Sequence, residues 1–442
     1  MDLLASGSSL DMQEIEKGFR SAALKDGNTA FTHFLSMMDD REQQCPQCNA
    51  QLIKIDDREK TIVSLMGTGT IKRTYYECPN GHGHFIPRDD MIGIQGTSFT
   101  PGAQLAVSKL AVVGSFDWSS DTLAEIADIY VSAKEIQRIS ETAGVTVEAE
   151  NQERINAAIR PESCRSKIDE HAEIIDVKNA TFYIEYDGTG VPMIKREVID
   201  IKGKQSDGSA KTREAKCGCI FTQSSDNEGD PVRDKSSTSF FGAIESAEQF
   251  GQRVFTEAQR REVNTYSRVA IIGDGAKWIW GIADMYFPDA IQIVDLYHAK
   301  EHLYKLASDL FPNPEEHDAI LEEWINTLEL GRAKVLGKKI LAVANLNDAQ
   351  RKKARTEANY FIENAYRMHY KYFKRQKLFV GSGVIEATCK TVIGGRLKQS
   401  GMFWSLRGAN AIIALRCVDM SCNGDFSSVF APKRTFVNNL TA

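Results

Sequence analysis

The chain has 442 residues, more than one domain usually contains, so we expect two to four domains. Its 42% hydrophobic and 26% charged residues are typical of a soluble globular protein. It contains no apolar run near 18 residues and no N-terminal signal segment, which predicts a cytoplasmic protein without a membrane partner. Nine cysteines in so long a chain do not indicate a disulfide scaffold, and thiols or metal ligands are the better interpretation.

The net charge of −6 argues weakly against a nucleic-acid partner, but the charge is unevenly distributed. Residues 351–442 contain 16 Lys and Arg against five Asp and Glu, which gives +11 and leaves −17 for the other 350 residues. A basic C-terminal segment on an acidic body indicates a surface that faces DNA. The same charges would also fit a solvated helix face.

The first 42 residues predict an amphipathic helical segment that carries no recognisable motif. Its apolar side chains recur at the spacing of one helix face, so this face should be buried. These side chains are Phe31, Phe34, Leu35 and Met38.

Residues 43–95 have the layout of a zinc ribbon. A Cys-Pro-x-Cys turn is followed by about thirty residues with β-type alternation and then by a second knuckle. The second knuckle offers one cysteine and two nearby histidines, and zinc accepts three Cys and one His. A structural Zn²⁺ is therefore expected, although a ribbon that folds without metal fits the same pattern. The candidate ligands are Cys45, Cys48, Cys78 and either His82 or His84.

Residues 96–170 predict several short helices, two of which have the spacing of a helix-turn-helix. An apolar helix that begins near Asp121 leads to a turn at Val131, and Ser132 can cap the helix that follows. This arrangement favours DNA binding. Two amphipathic helices joined by a turn are, however, also common in proteins that do not bind DNA.

Residues 176–425 switch to strands followed by alternating strands and helices, which predicts an α/β domain (α+β overall) with helices packed on a mixed sheet. Residues 300–378 are almost all helical and would form an insertion, and residues 426–442 would form a tail. The predicted strands are Thr181–Asp187, a hairpin over 194–223 with its turn at 206–209, Val269–Gly273 and Ile291–Val294.

Three acidic residues fit a two-metal site for DNA cleavage. Asp187 and Asp274 each end a predicted strand and precede a glycine, where open sheets place reactive groups. Glu386 lies in the first turn of a later helix, inside the basic segment. These carboxylates would hold two Mg²⁺ ions, with Mn²⁺ as a substitute, to activate a water or a 3′-hydroxyl. The basic residues expected to contact DNA are Lys390, Arg396 and Lys398.

Each acid taken alone has a simpler explanation, because Asp before Gly is often a turn residue and Glu386 can pair with a lysine one turn later. Asp295, in an Asp-x-x-His motif after the next strand, competes with Asp274 for the second position. Asp274 is favoured because its strand is more apolar and glycines flank it. His298 and His302 share a helix face, and we favour a DNA-contacting or site-ordering role for His298 over zinc ligation.

Several segments of the chain resemble bacterial insertion-sequence transposases of the ISKra type, which are related to the Mutator-like elements. The similarity runs from Cys45 to about Asp425, nearly the whole chain, and the segments around Asp274, His298 and Glu386 are highly specific. The segments are Tyr186-Asp-Gly-Thr-Gly-Val-Pro-Met193, Gly273-Asp-Gly-Ala-Lys-Trp-Ile-Trp280, Phe287-Pro-Asp-Ala290, Ile293-Val-Asp-Leu-Tyr-His-Ala-Lys-Glu-His-Leu303, Gly381-Ser-Gly-Val-Ile-Glu386 and Ser400-Gly-Met-Phe-Trp404.

This resemblance implies an RNase H-like catalytic domain, interrupted by the helical insertion, with Asp187, Asp274 and Glu386 as the metal-binding acids. Asp295 and His298 fall where Mutator-like relatives have a Cys/His motif, which implies a secondary role for them. The second knuckle departs from the family pattern because its second cysteine is missing, and this leaves the fourth zinc ligand open.

The function implied by the resemblance is that of a DNA transposase in the bacterial cytoplasm, associated with the nucleoid. It would bind the terminal inverted repeats, hydrolyse the end phosphodiesters and join the 3′-hydroxyls to double-stranded target DNA. Holding two ends requires a homodimer or a larger assembly. The alternatives are a non-catalytic DNA-binding regulator derived from a transposase and a metal-dependent nuclease without strand transfer.

Overall fold

The computed structural model describes residues 11–40, 43–160, 180–199, 201–203, 205, 208 and 210–431. They form two compact units: one comprises the described residues up to Ala143 and from Asp425 onward, and the other runs from Gly144 to Gly424. The finer predicted division at residues 42, 95 and 170 stays a prediction. Most of the predicted turn at 206–209 and of the predicted tail lies outside the described residues.

In the first unit, helix α1 (Met12–Met37) packs on a three-stranded antiparallel sheet. Leu35 of this helix joins a buried cluster with Ile62, Ile71 and Ile94, so the predicted apolar face is present. Phe34 was expected on that face, but it is 63% exposed. The strands are β1 (Ile53–Ser64), β2 (Gly67–Glu77) and β3 (His84–Phe85).

Four further helices follow the sheet in the chain. Ser132 accepts a hydrogen bond from the amide of Glu135 (3.3 Å) at the start of the last of them, as expected for a cap. Leu123 and Ile136 lie in one buried cluster, so the two predicted helices do pack together across a short turn. The helices are α2 (Pro87–Met91), α3 (Pro101–Ala111), α4 (Phe116–Ala127) and α5 (Ala133–Ala158).

The second unit is built on a mixed five-stranded sheet with the order β6-β5-β4-β7-β8. The first three strands of this order pair antiparallel, and β4, β7 and β8 pair parallel, which confirms the predicted mixed α/β class. The strands are β4 (Thr181–Pro192), β5 (Thr212–Ser225), β6 (Pro231–Ala243), β7 (Val269–Gly273) and β8 (Ile291–Val294).

Two strand predictions differ from the structure. Strand β4 does not end at Asp187, which pairs with Cys217 of β5, because the β4–β5 ladder continues to Pro192. The residues predicted as the second arm of a hairpin instead form β5, which pairs with β4 on one side and β6 on the other. Both differences depend on which strand lies alongside, and alternation within one strand does not reveal that.

Helices cover both faces of this sheet. Neighbouring residues of a strand point to opposite faces. Glu185 accepts a hydrogen bond from the amide of Ile385 (2.9 Å), at the start of the helix that carries Glu386. Tyr186 donates to the carbonyl oxygen of Ile279 (2.9 Å), so a different helix lies on the other face.

The residues between β8 and the helix of Glu386, which include the predicted insertion, are mostly helical from Leu296 onward. Within the described residues, every helix is too short or too polar to cross a membrane. The helices are α6 (Ala247–Arg260), α7 (Lys277–Tyr286), α8 (Leu296–Leu310), α9 (Pro314–Glu329), α10 (Ala333–Leu341), α11 (Asp348–Glu363), α12 (Tyr370–Arg375), α13 (Gly383–Thr388), a π-helix (Cys389–Gly394), α14 (Gly395–Leu397) and α15 (Leu406–Met420).

Candidate functional site

Two of the three predicted acids lie near each other, Asp187 on β4 and Asp274 directly after the neighbouring parallel strand β7. Strands β4 and β7 are in register with Glu185 opposite Ile272. Asp187 and Asp274 each lie two residues further along, so the register brings them to the same level of the sheet. Asp187 is half-buried, and its Oδ1 accepts a hydrogen bond from the amide of Gly188 (2.6 Å).

The electrostatics of Asp187 fit a cation site. Burial raises the pKa of Asp187, the Gly188 amide opposes this shift, and the nearby charge of Asp274 raises the pKa further. His298 is close enough to lower the same pKa, and Glu214 is close enough to raise it. A half-buried carboxylate whose pKa is raised by neighbouring acids is stabilised by a bound cation, and Mg²⁺ takes oxygen ligands.

Asp274 is held in a tight turn directly after β7. Its Oδ1 accepts from the amide of Ala276 (2.8 Å), and its carbonyl oxygen accepts from the hydroxyl of Tyr360 (3.1 Å). Gly275 has a φ of +98°, and an added Cβ would lie 2.7 Å from the Tyr360 ring. The predicted need for glycine is therefore real here. Gly188 is different, since the strand continues through it, and a Cβ there would meet the Glu214 carboxylate at 2.4 Å.

Asp295, the competitor for the second position, is occupied by structural hydrogen bonds. It is 5% exposed, and its Oδ1 accepts from the amides of Tyr297 (2.5 Å) and His298 (2.9 Å), which caps α8. Its Oδ2 accepts from the amide of Ser382 (2.5 Å) and from the hydroxyl of the same residue. Asp295 thus joins β8 to the segment before α13, and Asp274 keeps more of its carboxylate available for a cation.

Glu386 lies in the first turn of α13, as predicted, but its side chain is 66% exposed and pairs with Lys390 at 2.6 Å. Ile385, Cys389 and Val392, in the same helical segment, are buried. Among the described residues, the three predicted acids do not form a group whose oxygen atoms all lie within 4.8 Å of one another. The structure therefore aligns two of the acids and leaves the third at the surface.

The basic residues after Glu386 separate into a surface pair and an interior residue. Lys390 and Lys398 are exposed, and Lys398 donates to the hydroxyl of Thr189, two residues after Asp187 on β4. Arg396 was predicted to contact DNA, but it is fully buried, with its guanidinium 5.0 Å from the centre of the Trp404 ring. Burial lowers the pKa of Arg396 to about 10. Its role in this fold is packing, so the prediction of a DNA contact is wrong for Arg396.

The helix of Glu386 continues as a π-helix whose carbonyl groups have a buried partner. Arg416 of α15 donates to the carbonyl oxygen of Val392 (2.6 Å) and also to that of Thr391. A π-helix leaves main-chain groups without their usual α-helical partners, and a buried guanidinium can satisfy several at once. Arg416 therefore stabilises this irregular turn.

Two acids near the site were not singled out from the sequence. Glu185 is fully buried two residues before Asp187, and burial raises its pKa to about 8. Glu214 pairs with Lys216 (2.9 Å) and lies over Gly188. A strand rich in apolar residues gives no local signal that one acid is buried, but the i, i+2 spacing of Glu185 and Asp187 does place both on one face.

The cysteine–histidine group of the first unit is the one group of three or more possible ligands, among the described residues, whose ligand atoms lie within 4.8 Å of one another. Zn–S bonds of about 2.3 Å and Zn–N bonds of about 2.0 Å at tetrahedral angles separate S from S by about 3.8 Å and S from N by about 3.5 Å. Cys48 and Cys78 are 3.7 Å apart, and His82 Nδ1 lies 3.6 Å from Cys45 and 3.5 Å from Cys78. The group has the dimensions of a zinc site.

The structure also chooses between the two histidines. His82 belongs to the group, whereas His84 pairs with β2 and stacks on Tyr75 with ring centres 5.0 Å apart. The Ala50 amide and then the Asn80 amide lower the pKa of Cys48 to about 6, which favours the thiolate that binds metal.

Comparison with protein-family models and with curated proteins finds no match to this chain. Its function is therefore argued from the site itself.

Proposed function

We propose that this protein is a DNA transposase of an insertion sequence, with an RNase H-like catalytic domain over residues 176–425. The observation that carries the proposal is the proximity of Asp187, on β4, to Asp274, which directly follows the parallel neighbour β7. A sheet with three antiparallel strands followed by two parallel ones supports the RNase H-like interpretation. Exposed Lys398 beside Thr189 supports a DNA backbone on the same edge.

In this proposal Asp187 and Asp274 hold the cation, and Glu386 supplies the third carboxylate after its pair with Lys390 opens. Such an exposed pair is weak, so a bound cation and DNA can displace it. When bound, Mg²⁺ would activate a water or a 3′-hydroxyl and stabilise the leaving oxygen. Lys390, released from Glu386, and Lys398 would then hold phosphates of double-stranded DNA.

The test is cleavage of a labelled DNA that carries the element's own ends, with Mg²⁺, by the full-length protein. We expect Asp187→Asn, Asp274→Asn and Glu386→Gln each to reduce cleavage at least about a hundredfold, because each removes a charge that holds the cation. Binding to the same DNA should change less than about threefold. Asp295→Asn is the matched control, because Asp295 competes for the second position but makes structural hydrogen bonds. This substitution should lower thermal stability.

Each result has one consequence. Cleavage lost in all three variants with binding retained supports the triad, and full cleavage by one variant removes that residue from it. Binding without cleavage by the wild-type protein favours the non-catalytic regulator. Nicking without joined products favours a nuclease that does not transfer strands.

We also propose that the first unit holds a structural zinc ion through Cys45, Cys48, Cys78 and His82. Purified protein should contain about one zinc per chain by elemental analysis. His82→Ala should lower zinc content and thermal stability, because three ligands bind more weakly than four. His84→Ala is the matched control and should keep the metal. Zinc lost only in the His84 variant would overturn the assignment.

A further inference from the structure

Three side chains in the helical insertion form a continuous hydrogen-bonded chain beside the acidic site. Glu357 of α11 lies 2.7 Å from Nδ1 of His302, and Nε2 of His302 lies 3.2 Å from Nε2 of His298. Tyr360 stacks on His302 with ring centres 4.4 Å apart, and its hydroxyl donates to the carbonyl oxygen of Asp274. The chain of hydrogen bonds therefore begins at Glu357 and ends at His298, which is close enough to Asp187 to affect its pKa.

The chemistry of the atoms orders the protons along this chain. A carboxylate oxygen accepts, so Nδ1 of His302 is the donor to Glu357. In a neutral imidazole the other nitrogen then carries a lone pair, so Nε2 of His302 accepts a hydrogen bond. The facing nitrogen, Nε2 of His298, must donate the proton between them. Nδ1 of His298 is then left with a lone pair.

We propose that Glu357 and His302 are positioning residues, which hold the ring of His298 in the tautomer whose Nδ1 accepts a hydrogen bond beside the acidic site. The donor of that hydrogen bond to Nδ1 of His298 would be a hydroxyl, either of the attacking water or of the 3′-end of DNA. This role in DNA cleavage rests on the proposed function, whereas the tautomer rests on the chain of contacts alone. A carboxylate that orients a histidine from behind is a common way of fixing its tautomer.

The first measurement is the tautomer of His298 in the full-length, zinc-containing protein. Nitrogen-15 labelling of the eight histidines and long-range proton–nitrogen correlation distinguish a protonated Nε2 from a protonated Nδ1. His298→Gln assigns the signals. His302→Phe keeps a ring against Tyr360 but removes both nitrogens. His298 should then no longer be held in a single tautomer, while the packing against Tyr360 is preserved.

The variants at Glu357 separate hydrogen bonding from packing. Glu357→Ala removes the acceptor and should release the tautomer of His298, whereas Glu357→Gln keeps an oxygen that accepts from Nδ1 and should retain it. Glu363→Ala, an exposed acid on the same helix, is the matched control and should change nothing. Thermal melting checks that each variant is folded.

Cleavage of end-bearing DNA under single-turnover conditions gives the second measurement. We expect Glu357→Ala and His302→Phe to slow cleavage about tenfold, as for other histidines that lose their orienting partner, with DNA affinity changed less than about twofold. Glu357→Gln should restore most of the rate. If His298 keeps its proton on Nδ1 in the wild type, or if Glu357→Ala leaves the tautomer unchanged, the proposal is overturned. If His298 has the predicted tautomer but the wild-type protein never cleaves DNA, the proposed function is overturned and the assignment of the hydrogen-bonded chain stands.

Discussion

Glu185 shows how much one buried side chain can contribute to the behaviour of the site. It lies on the same face of β4 as Asp187 and accepts the amide of Ile385, while its Oε1 has no hydrogen-bond partner among the described residues. Its pKa of about 8, raised by burial, means that it keeps its proton at neutral pH. A protonated acid here adds no negative charge beside Asp187 and still anchors the start of α13.

The shift makes a prediction for stability against pH. The folded protein holds this proton up to about pH 8, whereas the unfolded chain releases it near its ordinary value of 4.5. Between these values the folded state binds more protons, so the free energy of unfolding falls as pH rises, by at most about 1.4 kcal/mol per pH unit. Glu185→Gln should remove this contribution, and its stability relative to wild type should increase from pH 5.5 to 7.5.

Urea unfolding followed by tryptophan fluorescence measures this difference, because four of the five tryptophans lie in the unit that contains Glu185. Glu228→Gln, an exposed acid in the turn between β5 and β6, serves as the control and should parallel the wild type. Parallel curves for Glu185→Gln and wild type would show that the carboxyl titrates normally in the folded protein.

At the scale of elements, α15 and the part of α5 that belongs to the second unit approach so closely that they leave no room for a side chain. A Cβ at Gly144 would lie 2.2 Å from the carbonyl oxygen of Ala411, which is main chain and cannot rotate away. By contrast, a Cβ at Gly281, inside α7, meets nothing within 4 Å. The same glycine-to-alanine change therefore has opposite consequences in two helices.

We expect Gly144→Ala to lower the free energy of unfolding by about 1–3 kcal/mol, because the helices must move apart. Gly281→Ala should raise it by about 0.5–1 kcal/mol, because alanine loses less backbone freedom in a helix. Urea unfolding of both variants tests the pair. Two changes of the same sign would mean that the helix contact at Gly144 is looser than described.

At the scale of the whole molecule, local sequence patterns predicted the helices and strands well, but they predicted poorly which distant residues contact one another. The bounds of β7 and β8, the two knuckles and the first turn of α13 depend on short-range periodicity and turn chemistry, which the sequence carries directly. The bonds of Asp295 to Ser382 and the continuation of β4 past Asp187 depend on residues distant in sequence. No periodicity within one element encodes them.

The charge distribution along the sequence likewise does not show which charged side chains reach the surface. The count of basic residues in the segment 351–442 suggested a broad DNA-facing surface. Three of these residues are buried in the fold and contribute little to such a surface: Arg367, Arg396 and Arg416. A net charge summed over a segment therefore overstates the field that DNA would meet, and the exposed lysines near β4 are the better guide.

The π-helix at 389–394 alters the phase of the helical residues that directly follow it, Gly395–Leu397. An α-helix turns about 100° per residue, so Arg396 would lie about 80° from Glu386 if the helix were regular. One extra residue in the turn adds a lag of about 100°, which carries Arg396 to the far side of the helix from Glu386. An alignment with a regular helix therefore needs a one-residue gap inside this turn. Without the gap, a surface role would be transferred to a side chain that lies in the core.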